Sequence, residues 1–141
     1  MLGEIWAGAS TAHGRRWLST WGSVVGYCVL IFVLSAQSNL QLPGTLLPSD
    51  KLAHLLEYAG LGWLWVRAIT GSRPEWTTVA GLFSAVLFAG IYGISDEWHQ
   101  YYVPGRHADL RDLFADVIGA MLGGLGYFLW RWSAFPFRRG Q

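Results

Sequence analysis

The sequence predicts an all-α integral membrane protein, a bundle of four transmembrane helices with both termini in the cytoplasm. Three observations carry that expectation. Of the 141 residues, 52% are hydrophobic and 13% charged, with 18 glycines and 9 tryptophans. Lipid-facing helices need apolar side chains, and membrane helices use more Gly than soluble ones. Long apolar stretches recur between short breaks of Pro, Gly and charged residues, and the basic residues fall unevenly on the two sides of those stretches. A chain of this length fits one domain and leaves no room for a separate soluble module.

Residues 1–16 are mixed and Gly-rich, ending in Arg15 and Arg16, and are expected to form a short mobile or interfacial tail. Trp17 to about Ser38 is the first apolar segment, long enough at about 1.5 Å per residue to cross a hydrocarbon core of about 30 Å. A cleaved signal peptide is the rival reading, since arginines precede the apolar core and Ser35-Ala36 suits its end; the length of the stretch and the spans that follow weigh against it. Asn39 to Ser49, with Pro43, Gly44 and Pro48, reads as a loop. Lys51 to Ile69 is the second span. Gly71 to Glu75 is a tight polar turn around Pro74, and Trp76 to about Ile94 is a third span without a charge. After a polar stretch that turns at Pro104-Gly105, Leu113 to Trp132 forms the fourth, and Phe135 to Gln141 is a tail with Arg138 and Arg139. The membrane domain thus covers 17–132, between cytoplasmic tails at 1–16 and 133–141.

Orientation follows from the lysines and arginines. With an even number of spans, Arg15, Arg16, Arg67, Arg73, Arg131, Arg138 and Arg139 share one side, whereas Lys51, Arg106 and Arg111 lie on the other. The positive-inside rule places the first group, and both termini, in the cytoplasm. Trp17, Trp21, Trp63, Trp65, Trp76, Trp130 and Trp132 fall near the predicted inner interface and Trp98, Tyr101 and Tyr102 near the outer, as interfacial aromatic belts do. Lone Cys28 cannot form an intramolecular disulfide and reads as a small buried hydrophobe. Gly22-x-x-x-Gly26 and Gly119-x-x-x-Gly123, with Gly81, Gly90 and Gly93, allow close helix approach; packing within the bundle is favoured over a dedicated dimer face.

The acids behave oppositely to the bases. Asp50, Glu57, Asp96, Glu97, Asp109, Asp112 and Asp116 all fall at the outer ends of spans two, three and four, so three separate regions bring polar groups to one level. Asp50, His54 and Glu57 are spaced i, i+4, i+7 and share a helix face. Asp50 suits a first-turn cap. His54 and Glu57 sit deeper, where a charge costs about 2.5 to 3.5 kcal/mol on insertion scales unless it pairs, with each other or with Arg106. Asp109, Asp112 and Asp116, at i, i+3, i+7, form a second such face, with Asp109 fitting an N-cap and Asp112 at N3 a capping-box analogue. Asp116 lies too far in for the helix dipole to explain it. Asp96 and Gln100 are i, i+4 neighbours at a helix C-terminus, where carboxylates oppose the dipole. Arg106, after Pro104-Gly105, is either a counter-ion for these acids or a fork for a ligand phosphate or carboxylate. His99, Tyr101 and Tyr102 read as interfacial and His107 as solvent-facing. No strong metal motif is present, although His54, Glu57, Asp112 and Asp116 supply oxygen and nitrogen donors suited to a divalent cation.

The segments DKLAHLLEYAGLG (Asp50 to Gly62) and SDEWHQYYVPGRHADLRDLFADVIGAMLG (Ser95 to Gly123) resemble the VanZ-like membrane family, named for a protein of glycopeptide-resistance clusters associated with teicoplanin resistance. The similarity runs from LSAQS at Leu34 to Ser38 through the fourth span. Its specific features are Asp50-Lys51, His54, Glu57-Tyr58, Asp96-Glu97, Gln100, Pro104-Gly105-Arg106, Asp109, Asp112 and Gly119. Asp116 stands where members often carry Asn, which hydrogen-bonds but cannot act as a base. The resemblance implies a small multi-span bundle with an envelope role and names no reaction. Residue pattern and resemblance together nominate His54, Glu57, Asp96, Glu97, Asp112 and Asp116 as catalytic candidates and Asp50, Lys51, Tyr58, Gln100, Arg106 and Asp109 as substrate-binding candidates.

Three functions compete. The first is an outer-leaflet protein that binds or processes an amphiphile, a membrane lipid, lipid-linked cell-wall precursor or lipoglycopeptide, with His54 as general base, Glu57 orienting it and Arg106 gripping an anion. The second is an oligomeric proton-coupled transporter titrating Glu57 or Asp116, against which stands the position of the acids near one face. The third is a structural or partner-binding membrane protein whose acids form an internal network. The net charge of +1 argues neither for nor against an anionic partner. A nucleic-acid partner is not expected, and a homo-oligomer is left open.

Overall fold

A computed structural model describes residues 2–37, 50–72 and 78–134, with side chains from Trp17 onward except Thr78. The expected loop at 39–49, the turn at Pro74 and the tail from Phe135 lie outside the described residues, as do Trp76, Arg73, Arg138 and Arg139. Four helices make up the fold: α1 (Leu2–Ser35), α2 (Asp50–Ser72), α3 (Thr78–Tyr101) and α4 (Leu110–Ala134). Among the described residues there is no strand.

Three of the helices, over Trp17–Ser35, Val79–Tyr101 and Leu110–Ala134, are long and apolar enough to cross a membrane. α2 has the length, at 23 residues, but its Asp50, Lys51, Glu57 and Arg67 interrupt the apolar run. Where it turns inward it is well covered, with His54, Tyr58, Leu61, Val66, Ala68 and Ile69 all buried. The outer faces carry the opposite chemistry: Val25, Val79, Phe83, Leu87, Ile91, Phe114 and Leu129 are exposed. A continuous apolar exterior of this kind suits lipid and not water.

The helices alternate in direction. Tyr27 lies against Gly60 and Trp21 donates to Ser72 at 2.9 Å, so α1 and α2 are antiparallel. Trp65 donates to Ser84 at 3.0 Å, while His54 meets Gln100 at 3.3 Å, which makes α2 and α3 antiparallel too. Gly93 of α3 faces Asp116, and Leu82 faces Gly124, so α4 runs back down. α2 and α4 therefore run parallel, and they share the most extensive interface; α1 touches α2 and, narrowly, α3, and does not reach α4 among the described residues. α1 packs on α2 from one side and adds Val24 and Ile31 to the same core.

Glycine sets the closeness of α2 and α4. Cβ atoms on Gly119 and Gly123 would run into the backbone carbonyls of Leu55 and Ala59, and one on Gly62 into that of Ala120. The Gly119-x-x-x-Gly123 pair thus packs within the chain, as expected. Gly22 and Gly26, by contrast, have no described atom within 4 Å of a built Cβ.

Several boundaries differ from the sequence expectation. The segment expected as a tail is continuous with α1, which begins at Leu2. α2 runs through Gly71 to Ser72, and α3 continues past Ile94 through the whole acidic stretch to Tyr101. Charges there do not end the helix: Asp96 accepts from Gln100 one turn on, and Glu97 accepts from the Asp109 N–H. Trp21, Trp63 and Trp65 also make contacts between helices. Trp21 packs edge-on against Trp65, and Trp63 against Tyr127, so these rings join helices together; Trp17, Trp130 and Trp132 are exposed. Cys28 is half-buried.

Candidate functional site

The N-termini of α2 and α4 and the C-terminus of α3 meet at one end of the core. The α3–α4 connection brings them there. Tyr102 and Val103 donate backbone N–H groups to His99 and Gln100, and Arg106 donates to Val103. Gly105 takes a positive φ of 82°, a backbone region that glycine enters without a Cβ penalty. Asp109 then caps α4, its Oδ1 accepting the Arg111 N–H at 2.9 Å. The expected reciprocal partner differs: the Asp109 N–H donates to Glu97 Oε2 at 2.7 Å, and Asp112 instead accepts from Lys51. A carboxylate of α3 thus completes the cap of α4. The Arg111 N–H, and after it the Lys51 ammonium, hold the Asp109 carboxyl below the usual carboxylate range.

Inside this end, the buried His54 joins α2 to both neighbours. Its Nδ1 lies 2.9 Å from Asp116 Oδ1, and its Nε2 accepts from the Gln100 amide at 3.3 Å. The same Gln100 amide donates to Asp96 at 3.2 Å. Since Asp116 offers only an acceptor and Gln100 a donor, the pattern is that of a neutral imidazole protonated at Nδ1. Lys51 bridges Asp109 and Asp112, at 3.0 Å each, and Arg106 pairs with Asp50. His54, Asp96, Glu97, Gln100, Asp112 and Asp116 are all buried.

Two expectations are corrected here. Glu57 neither orients His54 nor pairs with Arg106; Asp116 takes the first place and Asp50 the second. Glu57, half-buried one turn below His54, makes no hydrogen bond or ion pair among the described residues. The reason is the parallel packing of α2 on α4, which sets Asp116 beside His54. Asp50 begins α2 as expected, with its carboxylate engaged by Arg106. Tyr58 is fully buried, its ring 6.4 Å from that of His54 and its hydroxyl without a partner. His99 stacks on Phe32 of α1 at 4.2 Å; Tyr101, Tyr102 and His107 are exposed.

The seat of Asp116 is a feature the sequence reading missed. A Cβ on Gly93 would stand 2.6 Å from Asp116 Oδ2, so only glycine leaves room for that carboxylate against α3. Gly93 lies one turn before Asp96, and that spacing was the available signal. Several buried polar atoms around this seat lack a partner among the described residues, including Asp116 Oδ2, Gln100 Oε1 and Glu97 Oε1.

For a divalent ion, the donors that cluster are Asp50, His54 and Asp112, whose ligand atoms lie within 4.8 Å of one another. This set differs from the expected one by gaining Asp50 and losing Glu57 and Asp116.

A sequence profile described as VanZ/LLP1 matches residues 16–131. The chain belongs to the VanZ/LLP1 family. All of the polar end lies within the matched region, so the Asp, His and Arg positions that carried the resemblance are the ones gathered at the site. No curated protein matches the chain, and no solved structure does.

Proposed function

We propose that this VanZ/LLP1 protein is a multi-pass protein of the cell membrane that crosses it four times with both termini in the cytoplasm, and that its polar end binds or processes an amphiphile at the outer leaflet. The observation that carries the reading is an apolar groove beside the polar end. A cavity of about 430 Å³ lies between α1 and the core, lined by Trp21, Val24, Cys28, Phe32, Phe88 and Tyr92 among others. Phe32 stacks on His99, the residue next to Gln100. An acyl chain in the groove would direct its headgroup toward the polar end, where the Arg106 guanidinium suits a phosphate or carboxylate. A lipid-linked cell-wall precursor, an anionic lipid and a lipoglycopeptide share this chemistry, the last in keeping with the resistance association of the family's namesake. α2 crosses in this reading because its polar residues lie at its ends or face the core.

The test is a panel of these amphiphiles presented to protein in nanodiscs, with bound ligand read by native mass spectrometry and product by chromatography. Retention of one class, weakened by Arg106→Gln, supports binding; turnover that His54→Ala abolishes while the protein stays folded adds catalysis. Equal retention of all classes by wild type and Arg106→Gln rejects the proposal and leaves the internal-network reading. Flux driven by a pH gradient in proteoliposomes would favour transport instead.

A further inference from the structure

Seven carboxylates, Asp50, Glu57, Asp96, Glu97, Asp109, Asp112 and Asp116, gather at the polar end with three fixed cations, Lys51, Arg106 and Arg111. Four of them, Asp96, Glu97, Asp112 and Asp116, are buried, and buried carboxylates need positive charge or protons. Within the group, only Asp50, His54 and Asp112 bring a mixed oxygen and nitrogen donor set together, within 4.8 Å. Lys51 engages one oxygen of Asp112 and Arg106 one oxygen of Asp50, so the second oxygen of each carboxylate is left to another ligand.

The imidazole is set up in the same sense. His54 Nδ1 is held by Asp116 at 2.9 Å, which leaves Nε2, and the contact from Gln100 to Nε2 is long, at 3.3 Å. A carboxylate behind one ring nitrogen, fixing the tautomer and raising the basicity of the other, is the usual second shell of a metal-bound histidine. An independent observation points to a ligand at this place. Gln100 is fully buried and its amide touches His54 Nε2, yet its Oε1 has no partner among the described residues. A buried acceptor without a partner is costly, and an ion or its bound water beside Nε2 would satisfy it.

We propose that Asp50, His54 and Asp112 bind a divalent first-row metal ion, with Asp116 as the positioning residue for His54. Two carboxylates and one imidazole are donors for Mn²⁺ and Zn²⁺ and do not favour Ca²⁺, which takes oxygen ligands alone. With three protein ligands, coordination positions stay open for water or for an anionic headgroup. The proposal does not depend on the amphiphile reading, because the ion is measured without added lipid ligand.

The experiment is titration of chelator-treated protein in nanodiscs with Mn²⁺, followed by electron paramagnetic resonance, with Zn²⁺ as competitor. The expected result is saturation at one Mn²⁺ per chain, with ¹⁴N modulation from a coordinated imidazole, and displacement by Zn²⁺. His54→Gln removes the ¹⁴N signal, Asp50→Asn and Asp112→Asn weaken binding, and Asp116→Asn weakens it by about 10-fold to 100-fold through the outer shell. Arg67→Gln, exposed and toward the far end of α2, leaves the affinity unchanged. Mn²⁺ bound without ¹⁴N modulation, or without saturation at one equivalent, overturns the proposal. The wild-type spectrum decides this even where a variant fails to fold.

Discussion

Asp116 and His54 form a buried pair in which each depends on the other, and the loss of one partner exposes the cost. Asp116→Ala leaves the His54 N–H buried without an acceptor, which costs about 1 to 3 kcal/mol. Asp116→Asn keeps an acceptor of the same shape and is expected to cost less. Unfolding in detergent, followed by tryptophan fluorescence, separates the two; equal stability of Asp116→Ala and wild type would falsify the pairing. Asp109 behaves as a pH-dependent fastener at the protein's polar end. Its folded carboxyl titrates below its unfolded value, so its contribution is complete above the ordinary carboxylate pKa of about 4 and is lost as pH falls through the lower folded value. Wild type should therefore exceed Asp109→Asn in unfolding midpoint at neutral pH, with the gap closing in acid; a gap that widens in acid contradicts the assignment. The faces of these acids were legible from their spacing alone. Their partners were not: whether His54 meets Glu57 or Asp116 depends on the offset between two helices, which no spacing within one helix encodes.

At the scale of the element, the contact of α2 with α4 rests on missing side chains. A methyl at Gly123 collides with backbone that cannot rotate away, so Gly123→Ala is expected to destabilise by about 1 to 3 kcal/mol or more. Gly22→Ala meets open space and replaces a poor helix former by a good one, so it should be neutral or slightly stabilising. Thermal unfolding of the two variants side by side makes the comparison, and equal melting points would remove the argument for a glycine-set interface. The glycine motif in α4 was readable as a packing signal, and the sequence reading favoured packing within the bundle. The end of α3 was not. Its last two turns hold Asp96, Glu97 and Gln100, which look like a helix exit until Gln100 is seen bonded to His54 and Glu97 to the cap of α4.

For the whole molecule, antiparallel alternation brings the acids of α2, α3 and α4 to one end, and the direction of that end relative to the membrane is open to a direct test. With Cys28 replaced by Ala, a single cysteine at the exposed Tyr102 should react with a membrane-impermeant thiol reagent added to intact cells. Labelling only after the cells are opened would invert the orientation. The number of helices and their rough extents were evident from hydropathy and from Pro and Gly breaks, whereas the unequal roles of the helices were not, because burial of one helix by three others leaves no mark beyond its polar residues. That inequality has a mechanical consequence. Backbone lies directly on backbone along α2 and α4, so those two are expected to move as one stiff plank that carries the His54–Asp116 pair. α3 is joined to α4 at this end by the turn and by the Asp109 N–H on Glu97, and to α2 by the longer 3.3 Å amide contact of Gln100. If the polar end ever parts to admit a guest, the seam that unzips is the one between α3 and α2, and Gln100 is the first stitch to go.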